Sequence, residues 1–232
     1  MKVLELFAGS RSFGKAAEEL GHTVFSVDWE KYDNIDLAID IEELQTGMIP
    51  FIPDYVHASP DCTTYTIAAI SHHRNGVEPK SDYAKKCDKV NQHFISLIKH
   101  WLAINPKMVF TIENPRGMLR HMPWMQEFKR HTVWYCKYGD DRGKPTDFWT
   151  NIQNWIPRPV CKNYVYDDNG NVVNKHCHHQ EARRGAKTGT QGRKGSYEAS
   201  KIPDELCKEI LLSINESSTV VNFHNELFTL WL

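Results

Sequence analysis

The sequence predicts an α/β domain whose parallel strands are joined by helical crossovers. Short β-rich runs alternate with helical runs along residues 1–151, which is typical of βαβ units. A turn of small residues, FAGSRSFG, joins the first strand to the first helix and allows a ligand to approach the backbone closely. With 232 residues, 41% of them hydrophobic, the chain suits one substantial domain with a small appendage.

The predicted elements follow in chain order. VLELF (3–7) is the first strand, KAAEEL (15–20) is a helix that Ser10 or Ser12 can cap and Gly21 can end, and TVFSVD (23–28) is the second strand. Further strands are predicted at IDLAID (35–40), YVHAS (55–59), MVFTIE (108–113), HTVWYCKYG (131–139) and DFWTN (147–151). Amphipathic patterns predict one helix over about 89–104 and a last helix from about residue 203.

A change of composition marks a small insert. From 152 to 195 the chain is rich in Pro, Gly, Asn, His and Arg, and DDNGN (167–171) predicts a hairpin turn between YVY and VV. We therefore expect a main domain over 1–151, an insert over 152–195, and a C-terminal helix and tail over 196–232 that complete the main domain.

Charge and cysteine content narrow the class of protein. The net charge of −1 is uninformative, but Lys, Arg and His are concentrated in 72–89 and 158–201, which suits nucleic-acid binding. The six cysteines show no compact disulfide framework, which suits a reducing compartment and leaves thiol chemistry or metal binding open. No leader and no apolar run of membrane-spanning length is found, so we expect a soluble, cytoplasmic or otherwise intracellular protein without a membrane partner.

A first candidate half-site lies at the end of the second predicted strand. Asp28 is followed by Trp29, and such a pair suits an adenosine, since a carboxylate can bind ribose hydroxyls while an indole stacks on adenine. Asp40 ends the third predicted strand and could accept from the adenine amino group. Alternatively, Trp29 is a core residue and Asp40 caps a helix over IEEL. Plain dinucleotide binding is disfavoured because the GxGxxG spacing is absent.

Two further loops follow the fourth and fifth predicted strands. ASPDCTTYT places Cys62, and TIENPRG places Glu113 and Asn114, at the carboxyl edge of the sheet, where α/β proteins bind ligands. A strand-end acid there could protonate or hydrogen-bond a base. Alternatively, Cys62 is a small buried hydrophobe, and Glu113 is a cap or part of a surface ion pair.

Taken together, these segments resemble the DNA cytosine-5 methyltransferase family, and the match runs in order over most of the chain. FAG, VDWE, ASPDCTTYT, TIENPRG, KYGDDRGKPTDFWTN and EASKIPDELCKEI correspond to successive motifs of that family. The resemblance implies a Rossmann-like S-adenosylmethionine-dependent methyltransferase fold with a mostly parallel seven-stranded sheet. It implies catalytic positions at Cys62, Glu113, Asn114 and Lys144. It implies S-adenosylmethionine contacts by Phe7, Ala8, Gly9, Asp28, Trp29, Asp40, Ser59, Pro60 and Ser200.

The resemblance also implies a reaction and a partner. A thiolate of Cys62 would add to carbon 6 of cytosine, carbon 5 would take the methyl group, and loss of the carbon-5 proton would expel the cysteine. The partner would be double-stranded DNA with the target base flipped out of the helix. Expected nucleic-acid contacts are Thr66, Arg74, Arg116 and Arg142 near the site, and Arg183, Arg184, Lys187, Arg193 and Lys194 in the insert, unless these basic segments are ordinary solvated loops.

Four residues depart from the family pattern and bear on the chemistry. Asp61 stands where the family has Pro, the ENV motif is ENP, Arg142 replaces Gln, and Lys144 replaces a central Arg. A carboxylate beside Cys62 disfavours its thiolate. Arg116 or Lys144 could offset Asp61, Asp61 could point away, or the site could run slowly or on a different base. Lysine also lacks the planar fork of arginine.

The remaining expectations are open. The insert offers Cys161 and the Cys177-His178-His179 cluster for one structural zinc site, with Cys161, Cys177 and His178 as the weak candidates. If Asp61 cripples the thiolate, the chain would bind nucleic acid or cofactor without catalysis. Alternatively, the same chemistry would act on RNA or a free pyrimidine nucleotide. The oligomeric state is open, with a monomer slightly favoured.

Overall fold

A seven-stranded sheet forms the centre of the protein. The computed structural model describes residues 1–162, 164–169, 171–175, 177–179 and 195–214. The strands of this sheet are β1 (Lys2–Leu6), β2 (Thr23–Asp28), β3 (Leu37–Ala38), β4 (Tyr55–Ala58), β7 (Val109–Pro115), β8 (Arg130–Trp134) and β9 (Pro145–Thr150). Their order is β3-β2-β1-β4-β7-β9-β8. All pairs from β3 to β7 are parallel, whereas β9 is antiparallel to both of its neighbours, so the predicted mostly parallel sheet is confirmed.

Helices cover both faces of this sheet. The helices on the sheet are α1 (Ser12–Glu19), α3 (Asp82–Ile104) and α5, which covers residues 204–214. Two shorter helices are α2 (Ile70–His73) and α4 (Ser196–Ser200). One hydrophobic cluster joins α3 to the sheet and the other joins α1 and α5 to the opposite face. Successive side chains of a strand point to opposite faces of the sheet. In β1, Leu4 therefore packs in the cluster with α3, and Val3 packs in the cluster with α1 and α5.

Several element boundaries differ from those predicted. Helix α3 begins at Asp82 rather than near 89, because the Ser81 hydroxyl accepts from the Ala84 amide at 3.1 Å and caps it. Neither Ser10 nor Ser12 caps α1. Instead the buried carboxylate of Glu5 accepts from the Phe13 amide at 3.0 Å.

Three other predictions concern short elements. Strand β3 has only two residues, and β8 ends at Trp134, where a 3₁₀ turn (Tyr135–Tyr138) begins. The predicted hairpin is confirmed as β10 (Tyr164–Tyr166) paired antiparallel with β11 (Val172–Lys175). A short ribbon of β5 (Arg74–Asn75) and β6 (Glu78–Pro79) follows α2. Among the described residues, no helix is long and apolar enough to cross a membrane.

Candidate active site

One cleft of about 1100 Å³ gathers residues from the loops that follow β1, β2, β4 and β7. These loops leave the same edge of the sheet because the strands are parallel, and ligands bind α/β sheets at this edge. Helices α3 and α4 and the start of β9 add further lining residues. The predicted site residues in the lining are Phe7, Ala8, Gly9, Asp28, Trp29, Asp40, Ser59, Pro60, Cys62, Thr66, Glu113, Arg116, Arg142, Lys144 and Ser200.

The turn after β1 has an unusual backbone. Phe7 and Gly9 have positive φ angles of 55° and 46°, and a non-glycine residue in this region is uncommon and concentrated at ligand sites. The Gly9 amide donates to a carboxylate oxygen of Asp28 at 2.9 Å. The small-residue turn is therefore held against the end of β2, beside the predicted adenosine half-site.

Asp28 and Trp29, the two residues of that half-site, both line the cleft. Asp28 is buried, and burial raises its pKa. The hydrogen bonds that its carboxylate accepts from the Glu30 and Gly9 amides oppose this by lowering the pKa. Trp29 is 71% exposed although it lines the cleft. The alternative that Trp29 is a core residue is therefore excluded, and its indole face is available for stacking.

Asp40 caps a helical turn, as one of the two alternatives predicted, and it also lines the cleft. One carboxylate oxygen accepts from the Glu42 amide at 3.1 Å and caps a 3₁₀ turn (Ile41–Glu43), while the other pairs with Lys86 at 2.7 Å. The hydrogen bond from Lys86 lowers the pKa of Asp40. The residue also lines the cleft, so capping does not remove it from the site.

Cys62 begins a helical turn at the cleft wall. Its carbonyl accepts from the Tyr65 and Thr66 amides, each at 3.0 Å. Burial raises the pKa of the Cys62 thiol to about 11, and nearby Lys144 opposes this effect while Glu113 and Asp61 add to it. The thiol is therefore protonated at neutral pH unless a ligand changes its surroundings.

The carboxylate of Asp61 is held by groups other than Cys62. It accepts from the Thr63 amide at 2.7 Å and from the hydroxyl of Tyr83. Its charge still contributes to the raised pKa of Cys62. Lys144 therefore opposes the effect of Asp61 on the pKa of Cys62, and the oxygens of Asp61 are hydrogen-bonded to groups other than Cys62.

Glu113 and Lys144 line the cleft and form one group with the buried Tyr135. The Tyr135 hydroxyl donates to Glu113 at 2.9 Å, and Lys144 Nζ lies 3.9 Å from the same carboxylate oxygen. Lys144 Nζ also lies 4.8 Å from the centre of the Tyr135 ring. Sequence reasoning missed Tyr135, which is fully buried; its place directly after β8 was the available signal.

Asn114 has a different position from the one expected of a catalytic residue. It is fully buried, is absent from the cleft lining, and donates from its amide to the Pro60 carbonyl at 2.9 Å. Because Pro60 lies two residues before Cys62, Asn114 is placed to position the cysteine loop.

The structure gives Arg74 and Arg142 roles that differ from the predicted nucleic-acid contacts. The Arg74 side chain is 0% exposed, pairs with buried Asp88 and donates to the Thr64 carbonyl at 2.9 Å. The guanidinium of Arg142 pairs with Asp140 and donates to the Ala199 carbonyl at 3.0 Å. Both side chains brace loops because buried acids face them, and neither presents a free guanidinium to a phosphate.

The other predicted contact residues are either exposed residues of the cleft lining or lie outside the described residues. Arg116 is exposed, with its guanidinium 5.7 Å from the centre of the Trp134 ring. Ser200 is exposed at the end of α4. The insert residues Arg183, Arg184, Lys187, Arg193 and Lys194 lie outside the described residues.

The candidate metal ligands are only partly those predicted. Cys161 and Cys177 lie together, but the third ligand of the prediction, His178, points away, since its Nε2 donates to the Asp140 carbonyl at 2.8 Å. Cys136 and His179 complete the cluster instead.

Comparisons with known proteins identify the fold. No family model and no curated protein matches the sequence. The structure resembles the methyltransferase EhMeth of Entamoeba histolytica, with a TM-score of 0.51, 14% identity, and 70% of this chain covering 57% of that one. An E. coli prophage protein described as a DNA modification methyltransferase gives 0.49 at 14% identity, over 69% of this chain and 52% of that one. A DNMT2 mutant of Spodoptera frugiperda gives 0.45 at 17%, over 68% and 53%. The likeness to EhMeth shows that the chain has a methyltransferase fold, and the chain spans little more than half the length of these proteins.

Proposed function

We propose that this chain is an S-adenosylmethionine-dependent methyltransferase that methylates carbon 5 of cytosine in double-stranded DNA. The observation that carries the proposal is that one cleft holds both an adenosine-type half-site and a thiol, carboxylate and ammonium group. Asp28, Trp29, Cys62, Glu113 and Lys144 all line this cleft.

The residues of the half-site fit the cofactor. Trp29 offers an exposed indole face for the adenine, and Asp28 offers carboxylate lone pairs for the ribose hydroxyls. The positive φ at Gly9 brings backbone rather than side chain to the ligand. When bound, S-adenosylmethionine supplies an electrophilic methyl group on a sulfonium.

Cys62, Glu113 and Lys144 would activate the base. Cys62 gives its thiol proton to water, and its sulfur forms a bond to carbon 6 while the electron pair of the carbon 5–carbon 6 double bond makes carbon 5 nucleophilic. Glu113 holds the proton or hydrogen bond at the ring nitrogen, and Lys144 donates to the pyrimidine oxygen. Carbon 5 takes the methyl group from the sulfonium, which leaves as a neutral thioether. Loss of the carbon-5 proton to water then restores the double bond, breaks the carbon–sulfur bond and releases Cys62.

Two features of the site support a base that is flipped out of a duplex. Cys62 lines the cleft and is partly buried, so a base within a helical stack could not reach its sulfur. Exposed Arg116 at the rim could then contact a phosphate. We assign sequence selection to residues 152–195, with residues 1–151 and 196–232 forming the catalytic part.

A second candidate function is nucleic-acid binding without catalysis. The raised pKa of Cys62, to about 11, favours it because the nucleophile must be a thiolate. The same transferase chemistry on RNA or a free pyrimidine nucleotide is a further possibility that the site residues share.

Transfer of labelled methyl groups separates these candidates. Duplex DNA, tRNA and pyrimidine nucleotides would compete as acceptors, and digestion of the product would identify the modified base. We expect 5-methylcytosine in DNA, none with Cys62→Ala, and unchanged activity with Cys207→Ala, a cysteine buried on the other face of the sheet. Retained DNA binding without transfer to any acceptor would identify the second candidate.

A further inference from the structure

Four side chains with zinc-binding atoms converge beside the active-site cleft. Cys136 lies in the 3₁₀ turn after β8, Cys161 precedes the β10–β11 hairpin, and Cys177 and His179 follow it. Their ligand atoms all lie within 4.8 Å of one another. The chain therefore brings together groups that are up to 43 residues apart in the sequence, as the difference between 136 and 179 shows.

The spacing of these atoms suits a tetrahedral ion. With Zn–S near 2.3 Å and Zn–N near 2.0–2.1 Å, the sulfur–nitrogen and sulfur–sulfur edges of a tetrahedron are about 3.5–3.8 Å. Cys161 Sγ lies 3.7 Å from His179 Nδ1. Three thiolates and one imidazole are a usual donor set of structural zinc sites, and soft sulfur ligands select zinc over the harder divalent cations.

Burial and packing fix the histidine in this position. Cys136, Cys177 and His179 are buried, at 3%, 8% and 8% exposure. A side chain at Gly143 would lie 3.0 Å from Cδ2 and Nε2 of His179, so the absence of one makes room for the ring. His179 therefore packs one edge on Gly143 and turns Nδ1 to the sulfurs.

The cluster adjoins the groups that line the active site. Gly143 directly precedes Lys144, and Cys136 directly follows Tyr135, which donates to Glu113. The neighbouring residue His178 ties the same segment to the Asp140 carbonyl. An ion at the cluster would thus fasten the hairpin region to the wall that carries Lys144 and Glu113.

We propose that Cys136, Cys161, Cys177 and His179 bind one Zn²⁺ ion with a structural role. Four protein ligands close the tetrahedron and leave no position for water or substrate, which is typical of structural rather than catalytic sites. Such an ion supplies the stability that this hydrophobe-poor segment lacks, since zinc binding free energy contributes directly to folding. Zinc binding by these four residues does not depend on whether the cleft catalyses the proposed methyl transfer.

Metal analysis of the full chain, purified under reducing conditions, tests this proposal. We expect about one zinc ion per chain, and Co²⁺ exchanged into the protein should show thiolate charge-transfer absorption with the intense visible bands of tetrahedral cobalt. His179→Ala should lose most of the metal, whereas His178→Ala, the matched neighbour that donates to a carbonyl, should retain it. Cys161→Ser should weaken the charge-transfer band, and Cys87→Ser, a cysteine outside the cluster, should not.

Three outcomes would overturn the proposal. Folded wild-type protein that carries no zinc and binds no Co²⁺ with tetrahedral absorption would exclude the site. Equal metal loss in the His178 and His179 variants would show that the assigned ligand is wrong. A disulfide among the three cysteines in protein kept reduced would show that the thiols serve each other. The wild-type cobalt spectrum keeps the test decisive if Cys161→Ser fails to fold.

Discussion

Replacing Arg74 by Met tests whether this residue braces the cysteine loop or contacts DNA. Its side chain is 0% exposed and that of its partner Asp88 is 9% exposed, so the substitution leaves an almost fully buried carboxylate without its cation. Removing one partner of a buried ion pair costs about 3–5 kcal/mol. For a chain of this size that corresponds to a fall in melting temperature of roughly 6–20 °C. Denaturant unfolding monitored by circular dichroism measures the free energy directly.

A second substitution, Asp88→Asn, separates ion pairing from other effects by the sign of its change in the free energy of unfolding. Asp88→Asn removes the charge but can still accept from the Tyr65 hydroxyl, which lies 2.6 Å from Asp88. In the wild-type background it should destabilise the protein, whereas in the Arg74→Met background it should stabilise it, because the unpaired charge disappears. Destabilisation in both backgrounds, or a cost of Arg74→Met below about 1 kcal/mol, would refute the reasoning. A phosphate contact would instead appear as a decrease of about one in the salt dependence of DNA binding.

Three further predictions concern the cleft. Alkylation at Cys62, followed by mass spectrometry of its peptide, should accelerate about tenfold per pH unit between pH 7 and 10, because the thiolate reacts and the pKa of the thiol is raised to about 11; a plateau near pH 8 would contradict this. Lys144→Met should slow that alkylation about two- to tenfold, because it removes a positive charge that lowers the pKa of Cys62. Asp61→Asn should accelerate it by a similar factor, because it removes a negative charge that raises that pKa. If both variants changed the rate in the same direction, charge would not be the cause. Trp29→Ala should weaken S-adenosylmethionine binding about tenfold in calorimetry while Trp29→Phe largely preserves it, and equal losses would exclude stacking.

The sheet and the location of the cleft were predictable because they follow from local patterns. Alternating strand and helix runs indicated parallel strands, and the carboxyl ends of such strands meet at one edge. Asp28 ends β2, Glu113 lies near the end of β7 and Cys62 lies four residues after β4, so their meeting in one cleft required only the strand order.

The roles of buried polar side chains were not predictable in this way. Arg74 and Arg142 belong to basic or motif-like segments, and nothing local indicated that Asp88 and Asp140 would neutralise them. Asn114 likewise depended on a tertiary contact with the Pro60 carbonyl, 54 residues away. Such pairings depend on how loops pack, which leaves no periodic signal in the sequence.

The candidate metal cluster shows the same limit. Cys161 and Cys177 were visible within the insert, but Cys136 lies in the 3₁₀ turn after β8 and carries no ligand spacing that links it to them. The choice between the adjacent His178 and His179 depended on which ring Gly143 could accommodate. Sequence alone therefore identified the chemistry without its geometry.

Covalent trapping tests the central claim that Cys62 is the nucleophile of a cytosine-5 methyltransferase. DNA that contains 5-fluorocytosine would be mixed with the full chain and S-adenosylmethionine, because fluorine at carbon 5 blocks the elimination that would release the cysteine. We predict a denaturation-resistant protein–DNA complex that requires the cofactor, forms with Cys207→Ala and is absent with Cys62→Ala. A wild-type protein that forms no such complex with DNA of mixed sequence, or a complex that persists in Cys62→Ala, would contradict the account.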